Sequence, residues 1–357
     1  MHRIEIYDKN FNALTTVFPP FVYDIEYTQE LSKSGSAKFK IRVIDANATA
    51  TNLKLYNRVK IYRDSVGVFI GYIENLKADL NEIEVDCQGM LGFFSKRLYT
   101  KTISNTNAGT ACSNVFAALN AIDDTGITFG ASDLTYVISQ INFSRSSALD
   151  VFEKIANMSK SEIEITTDRE FNINSRVGVD KTSTIIFQYI STQINASTIF
   201  DFDVEIQGKD MANYVVGISS NLNSTQQDAT SIADFGLLQE FQNFAQTGNQ
   251  TNLDAETLNY LATYKNEFYV PKVSPNPNKI DVDSYEVGDS VRVVISHGFI
   301  AANQTYRIIK KTVKVSENQT LEVSINLTPE DTNVLPSSFF DEINDIRKRV
   351  SLLESAI

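Results

Sequence analysis

The segment from Arg58 to Arg97 constrains the fold more than any other part of the chain, because it contains three successive runs of alternating apolar and polar residues. Turn-forming residues at 65–67 and 80–81 separate the runs, a pattern typical of strands joined by hairpins. Gly71 lies inside the second run, where glycine marks a bend or a close backbone approach. We therefore predict a small curved sheet or barrel, followed by a helical turn at 90–94 that plugs one open end. The alternating apolar residues are Val59, Ile61, Phe69, Ile73, Ile83, Val85 and Cys87.

The same alternation extends to the residues before this segment. The clearest example is the run GSAKFKIRV at 35–43, in which apolar residues alternate with two lysines and an arginine. One face of the predicted strand is therefore apolar and the other is basic. Residues 1–99 together predict a first β-domain.

Residues 100–190 have a different pattern. Apolar residues at helical spacing predict helices over 108–121 and 147–158, and alternation predicts strands at 163–165 and 171–173. Helices and a hairpin in this order predict an α+β domain.

Residues 280–333 repeat the layout of the first β-domain. The pair Gly288-Asp289 precedes three alternating strands, and such a pair forms a turn in which glycine supplies the unusual backbone angle and aspartate caps the turn. We predict a second barrel from 191–218 and 280–333, interrupted by an insertion at 219–279 that contains a helix. Two similar barrels in one chain indicate an internal repeat.

The last residues carry the sharpest local pattern. Apolar residues spaced by four and three positions form a heptad seam, and isoleucine at both seam positions favours a trimer. We predict a coiled-coil helix over 337–357 that holds copies of the chain together; one amphipathic helix folding back on its own domain is the alternative, since so short a coil is marginal alone. The seam residues are Phe339, Ile343, Ile346, Val350, Leu353 and Ile357, and the charged flanking residues are Glu342, Arg347, Arg349 and Glu354.

The charge of the chain limits its partners. Its 44 acidic and 32 basic residues give a net charge of −12, which argues against a protein that coats DNA with a basic face. An acidic surface is compatible with DNA that passes close by without binding.

The chain carries no motif of a catalytic, metal-binding or cofactor-binding site. His2 and His297 lie far apart in the sequence, and Cys87 and Cys112 are predicted to be buried free thiols. No run of about 18 apolar residues occurs, so no membrane span is expected. We therefore predict a protein that is not an enzyme and needs no cofactor.

Several segments together resemble one known family. They are VFIGYIE at 68–74, VDCQGMLGFFSKR at 85–97, GSAKFKIRV at 35–43, the helix and hairpin at 146–173, and DMANYVVGI at 210–218. Their types and order resemble the baseplate hub and tail-tip hub proteins of long-tailed phages and related contractile injection systems.

The resemblance implies a fold, an assembly and partners. It implies a homotrimer whose six barrels match a sixfold tail tube, and a structural hub that closes or continues the tube channel at the distal end of the tail. The expected partners are the tail tube or distal tail ring protein, a tape-measure protein or a tail spike or fibre, and passing DNA without specific binding. The expected location is the phage tail of the virion, after assembly in the host cytoplasm.

Two other functions stay open at this point. A module of the tail tip that binds the host surface, such as its carbohydrate, would present clustered exposed aromatic residues from the insertion, although core packing explains those residues equally well. A small cell-wall hydrolase is disfavoured, because no constellation of catalytic residues is evident. The aromatic residues in question are Phe235, Phe241, Phe244, Tyr260, Tyr264 and Tyr269.

Overall fold

The computed structural model describes residues 1–329 except 210, 220 and 245–249. These residues form a mostly β structure with few helices, as predicted. They divide into two compact units: the larger contains Met1–Asp201, Val273–Asn303 and Arg307–Asn326, and the smaller contains Phe202–Lys272, Gln304–Tyr306 and the described residues after 326. The predicted coiled-coil helix at 337–357, with all its oligomerisation residues, lies outside the described residues.

The larger unit begins with seven strands that pair antiparallel. They are β1 (His2–Tyr7), β2 (Ala13–Val17), β3 (Val22–Glu30), β4 (Ser36–Arg42), β5 (Arg58–Arg63), β6 (Val66–Ala78) and β7 (Glu82–Gly89). Their order in the sheet is β2-β1-β5-β6-β7-β4-β3. The predicted alternation is present in β4, where Ala37, Phe39 and Ile41 are buried and the basic residues between them are not.

An α+β region follows in the same unit. Its elements are α1 (Met90–Phe93), β8 (Leu98–Asn107), α2 (Ala108–Asn120), β9 (Thr128–Phe129), β10 (Val137–Ser147), α3 (Ala148–Ser159), β11 (Glu162–Ile165) and β12 (Glu170–Asn174). The side chain of Asn107 caps α2 by accepting from the Gly109 N–H at 2.9 Å, and Ser147 caps α3 by accepting from the Asp150 N–H at 3.0 Å. Such caps fix where each helix begins.

The helical turn after β7 belongs to the core of this α+β region. Phe94 is fully buried, and its ring centroid lies 5.4 Å from those of Phe116 and Phe152 and 6.3 Å from that of Phe171. The predicted turn at 90–94 therefore exists, but it does not plug a barrel. The Phe94 side chain instead connects the first sheet to α2, α3 and β12.

The rest of the chain contains nine strands and two helices among the described residues. They are β13 (Ile186–Ile190), β14 (Ile199–Gln207), β15 (Tyr214–Ser219), β16 (Leu222–Gln227), α4 (Ala229–Phe235), β17 (Gln239–Asn243), α5 (Gln250–Tyr264), β18 (Phe268–Pro275), β19 (Ser290–His297), β20 (Ile300–Val315) and β21 (Leu321–Pro329). In the smaller unit, β15 lies between antiparallel β16 and parallel β17. Val215 of β15 and Leu261 of α5 belong to one buried cluster.

The C-terminal strands join the N-terminal sheet through β20. This strand pairs antiparallel with β3, from Lys310 opposite Glu30 to Val315 opposite Ile25, and it also pairs with β19 and β21. The edge of β3 that a separate first barrel would need is therefore occupied by β20. The pairings described form an open sheet without a closed barrel, so they do not confirm the prediction of two barrels.

A buried ion pair connects the hairpin β11–β12 to β20. The guanidinium of Arg307 forms a bidentate pair with the Glu162 carboxylate and also donates to the carbonyl oxygens of Val177 at 2.6 Å and Gly288 at 2.9 Å. Glu162 in turn accepts from the Val177 N–H at 2.7 Å. Charge-assisted bidentate pairs of this kind are both strong and directional.

The two cysteines are buried free thiols, as predicted. Burial raises the pKa of both Cys87 and Cys112. Among the residues that the structure describes, no helix combines the length and the apolar character that a membrane span requires.

Candidate functional surface

One face of the sheet in the larger unit is covered by charged side chains, and we call it the charged face. Each strand contributes one sign, and the sign alternates from strand to strand. The charged face consists of Lys310 and Lys314 on β20, Glu26 and Glu30 on β3, Lys38, Lys40 and Arg42 on β4, Glu82, Glu84 and Asp86 on β7, and Lys77 on β6.

The strand register places opposite charges directly opposite each other. One row crosses four strands through Lys314, Glu26, Lys38 and Asp86. Other rows place Lys40 between Tyr23 and Glu84, and Glu84 opposite Lys77. Cross-strand pairs of opposite charge stabilise a sheet, whereas like charges in the same positions would destabilise it.

The side chains on this face are close enough to form ion pairs. Lys38 Nζ lies 2.8 Å from Glu84 Oε1, Lys40 Nζ lies 2.9 Å from Glu82 Oε1, and Lys314 Nζ lies 3.3 Å from Glu26 Oε2. The hydrogen bond to Glu84 raises the pKa of Lys38, and the same bond lowers the pKa of Glu84. Each partner of this pair therefore favours the charged form of the other.

A bulge in β3 adds an aromatic ring beneath these charges. Asp24 has a positive φ of 48°, and the pairing with β4 shifts between Tyr23 and Glu26. The shift leaves the Tyr23 ring under the guanidinium of Arg42, at 4.8 Å, while its hydroxyl donates to Glu82. Bulges redirect side chains in this way, and here the bulge supports the basic row of β4.

The charged face is well hydrated, because its ion pairs are exposed. Exposed ion pairs contribute little stability individually and are screened by salt. Alternating signs also cancel at a distance, so phosphate groups meet neither a basic stripe nor a strongly acidic one. The arrangement therefore predicts weak non-specific binding of nucleic acid to this face.

Reversing the charge of one strand tests this property. Replacing Glu82, Glu84 and Asp86 by lysine would merge the basic rows of β4 and β6 into one basic stripe. We expect this variant to bind double-stranded DNA with an affinity that falls steeply as salt increases, and we expect no binding by the unmodified protein. Fluorescence anisotropy of labelled DNA at several salt concentrations measures the affinity of each protein and its dependence on salt.

A matched control carries the same charge change elsewhere. Asp201, Asp203 and Glu205 are exposed along β14, and their replacement by lysine also adds six charges, from −12 to −6. We expect much weaker binding from this control. Equal binding by both variants would show that net charge matters and the pattern of the charged face does not.

The aromatic residues predicted for host-surface binding do not form one exposed cluster. Phe235 and Phe241 are exposed, but Tyr264 is buried and its ring lies 4.4 Å from that of Tyr260. Phe244 packs over Gly217. Core packing accounts for much of this set, so the geometry does not favour the adhesin alternative.

The described part of the chain contains no group of three or more His, Cys, Asp or Glu side chains that could hold a metal ion. The predicted oligomerisation residues cannot be located, because they lie outside the described residues. The sequence predicts only part of the charged face, the basic side of β4. It does not predict the acidic partners on β3 and β7, because they depend on the strand register.

The family comparison is extensive. The sequence pattern of the YQBQ-like family matches residues 25–328. No curated protein sequence matches the chain.

Solved structures share the fold at low sequence identity. The 43 kDa tail protein of prophage MuSo2 from Shewanella oneidensis is 9% identical, with a TM-score of 0.67 over 92% of this chain and 98% of that one. A tail protein from Neisseria meningitidis MC58 is 11% identical, with a TM-score of 0.63 over 92% and 97%. A type VI secretion component from E. coli, described as similar to the T4 tail proteins gp27 and gp5, is 9% identical, with a TM-score of 0.54 over 87% and 74%.

Proposed function

The chain belongs to the YQBQ-like family, and from this membership and its fold we propose that it is a structural protein of a phage or phage-like tail. The observation that carries the proposal is the match of the fold over nearly the whole length of two tail proteins. In this proposal the protein is part of the virion, assembles with other tail components in the host cytoplasm, and is not an enzyme.

Within the tail, we propose the position of a trimeric hub at the distal end. Three copies would form a ring that closes or continues the channel of the tail tube and connects it to the baseplate or tip. The proposed layout keeps two β-modules at 1–99 and at 191–218 with 280–333, an α+β domain at 100–190, an insertion at 219–279 and a C-terminal helix at 337–357. Its neighbours would be the tail tube or distal ring protein and a tape-measure protein, spike or fibre.

The charged face supports the channel part of this proposal. A channel that conducts DNA needs a hydrated wall without basic stripes, because phosphate contacts with lysine and arginine account for most non-specific binding. The charged face has these properties, and its alternating signs leave no strong field of one sign. Passing DNA would therefore neither adhere to this wall nor be expelled by it.

The mass of the protein in solution tests the trimer. We expect light scattering to give three times the chain mass of 39.9 kDa, and a lower mass for a chain that ends at Pro336. Aspartate at both Ile346 and Leu353 should have the same effect, because charges in a heptad seam are unfavourable. Lys348→Asp, outside the predicted seam, is the matched control and should remain trimeric.

The alternatives give different masses. A trimer that survives the truncation and the seam variant would contradict the proposed role of the helix while leaving the hub intact. A monomer for every protein would contradict the coiled coil.

The position in the tail needs a separate experiment. Antibodies against the protein, applied to purified particles and viewed by electron microscopy, should label the end of the tail that is distant from the capsid. Particles that carry no label, or that carry it along the whole tube, would contradict the proposed hub.

A further inference from the structure

Four buried side-chain polar atoms of the larger unit have no hydrogen-bond partner among the described residues; one is Arg58 Nε, and the other three belong to neighbouring aromatic side chains. These three are His2 Nε2 and the hydroxyl groups of Tyr27 and Tyr285. The three side chains are 4%, 1% and 0% exposed. Buried polar groups in native proteins are almost always paired with protein or ordered water, because an unpaired group loses its hydration without compensation.

The three side chains come from neighbouring segments. The ring centroids of His2 and Tyr27 are 6.2 Å apart. Arg63 lies opposite His2 in the pairing of β1 with β5, and its guanidinium contacts Asp283, two residues before Tyr285. His2, Tyr27 and Tyr285 come from β1, from β3 and from the segment before β19, so they lie where N-terminal and C-terminal parts of the larger unit pack together.

The charges around this place are already paired. Arg63 contacts the carboxylates of Asp281 and Asp283, with Nε 2.8 Å from Asp283 Oδ2. Lys311 Nζ donates to the carbonyl oxygens of Val282 at 2.7 Å and Tyr285 at 2.8 Å. Both cations therefore already have partners within the protein.

The unpaired groups are themselves neutral. Burial, together with the N-terminal ammonium and Arg63, lowers the pKa of His2 to about 4, so the ring is uncharged at pH 7. Burial also raises the pKa of both tyrosines, which keeps their hydroxyl groups protonated. A neutral imidazole has one donor and one acceptor nitrogen, and a hydroxyl group can both donate and accept a hydrogen bond. Their common complement is a molecule that both donates and accepts.

We infer that His2, Tyr27 and Tyr285 bind a small cluster of ordered water molecules between the N-terminal strands and the segment before β19. Buried water molecules form hydrogen bonds with otherwise unpaired polar groups, and the three atoms here are groups of this kind. The water site connects segments that are distant in sequence and would be an internal part of the fold.

Removing the hydroxyl groups changes the stability in opposite directions, depending on whether they bind water or are unpaired. If waters are bound, Tyr27→Phe and Tyr285→Phe each remove a hydrogen bond, and each should lower the folding equilibrium constant about fivefold. The double variant should lower the folding equilibrium constant by less than the product of the two single effects, because both hydroxyl groups contact the same waters. If the hydroxyl groups are unpaired, Tyr27→Phe and Tyr285→Phe should each raise the stability, and this result would overturn the proposal.

Urea unfolding measures these changes, and Tyr56→Phe is the matched control. The side chain of Tyr56 is 46% exposed, so removal of its hydroxyl should leave the midpoint unchanged. A high-resolution crystal structure provides the direct test: ordered solvent density within hydrogen-bond distance of His2 Nε2 and both hydroxyl groups supports the proposal. Absence of density there, or an anomalous signal after soaking in bromide, would overturn it.

Discussion

Replacing Arg307 by methionine is expected to lower the free energy of unfolding by about 3–5 kcal/mol, the usual cost of removing one partner of a buried ion pair. The side chain of Glu162 is only 5% exposed and would lose the guanidinium that pairs with it. The carbonyl oxygens of Val177 and Gly288 would lose a donor as well. Urea unfolding of the full-length protein measures the loss.

Two further variants separate the charge from the packing. Adding Glu162→Gln to the Arg307→Met variant replaces the unpaired carboxyl group by a neutral amide, whose oxygen can still accept from the Val177 N–H. The double variant should therefore recover part of the loss. Lys314→Met breaks an exposed pair with Glu26 and should change stability by less than about 1 kcal/mol. Equal losses for Arg307→Met and Lys314→Met would refute the special role of the buried pair.

Replacing Gly178 by alanine is expected to cost about 2–6 kcal/mol, the sum of about 1–3 for backbone strain and about 1–3 for steric overlap. Its φ is +80°, and a Cβ atom there would lie 2.2 Å from the carbonyl carbon of Gly288 and 2.5 Å from the nitrogen of Asp289. Both contacts are with backbone, so no side chain can move aside. Thermal unfolding measures the change.

Gly298 provides the control for this substitution. It also has a positive φ, of +60°, but a Cβ atom there would meet nothing within 4 Å. Gly298→Ala should therefore cost only the backbone strain, about 1–3 kcal/mol. The difference between the two alanine variants measures the close approach of the two backbone segments, and no difference would contradict it.

Local features of the fold could be predicted from the sequence because short-range rules determine them. The helix predicted over 147–158 agrees with α3 to within one residue, since the apolar spacing and the Ser147 cap are both local. The turn at Gly288 was also predicted, and its φ of +96° confirms the role of glycine there.

The sequence pattern does not predict the polar elements β16 and α4. The composition of the stretch 221–233, which is rich in Ser, Thr, Asn and Gln, predicts a loop, yet the stretch contains β16 and the beginning of α4. Ser224 and Ser231 are buried there, so packing against the rest of the smaller unit overrides the polar composition. No hydrophobic period in the sequence indicates these elements.

Long-range contacts could not be predicted, because alternation identifies a strand without identifying its partner. The pairing of β3 with β20, the approach of Gly178 to Gly288 and the rows of the charged face all depend on such partners. The charged face shows the limit most clearly: the basic side of β4 is visible in the sequence, whereas its neutralisation requires the register with β3 and β7.

The pairing of β3 with β20 has a consequence for synthesis on the ribosome. Thr28 and Thr312, whose hydroxyl groups are 3.0 Å apart, are separated by 284 residues. At roughly 5–20 residues per second, β3 waits on the order of 15–60 s before its partner is translated. During that time its open edge could recruit strands from other nascent chains. Glu26 and Glu30 place negative charge along this edge, so β3 carries its own protection against aggregation until lysines 310 and 314 of the same chain arrive.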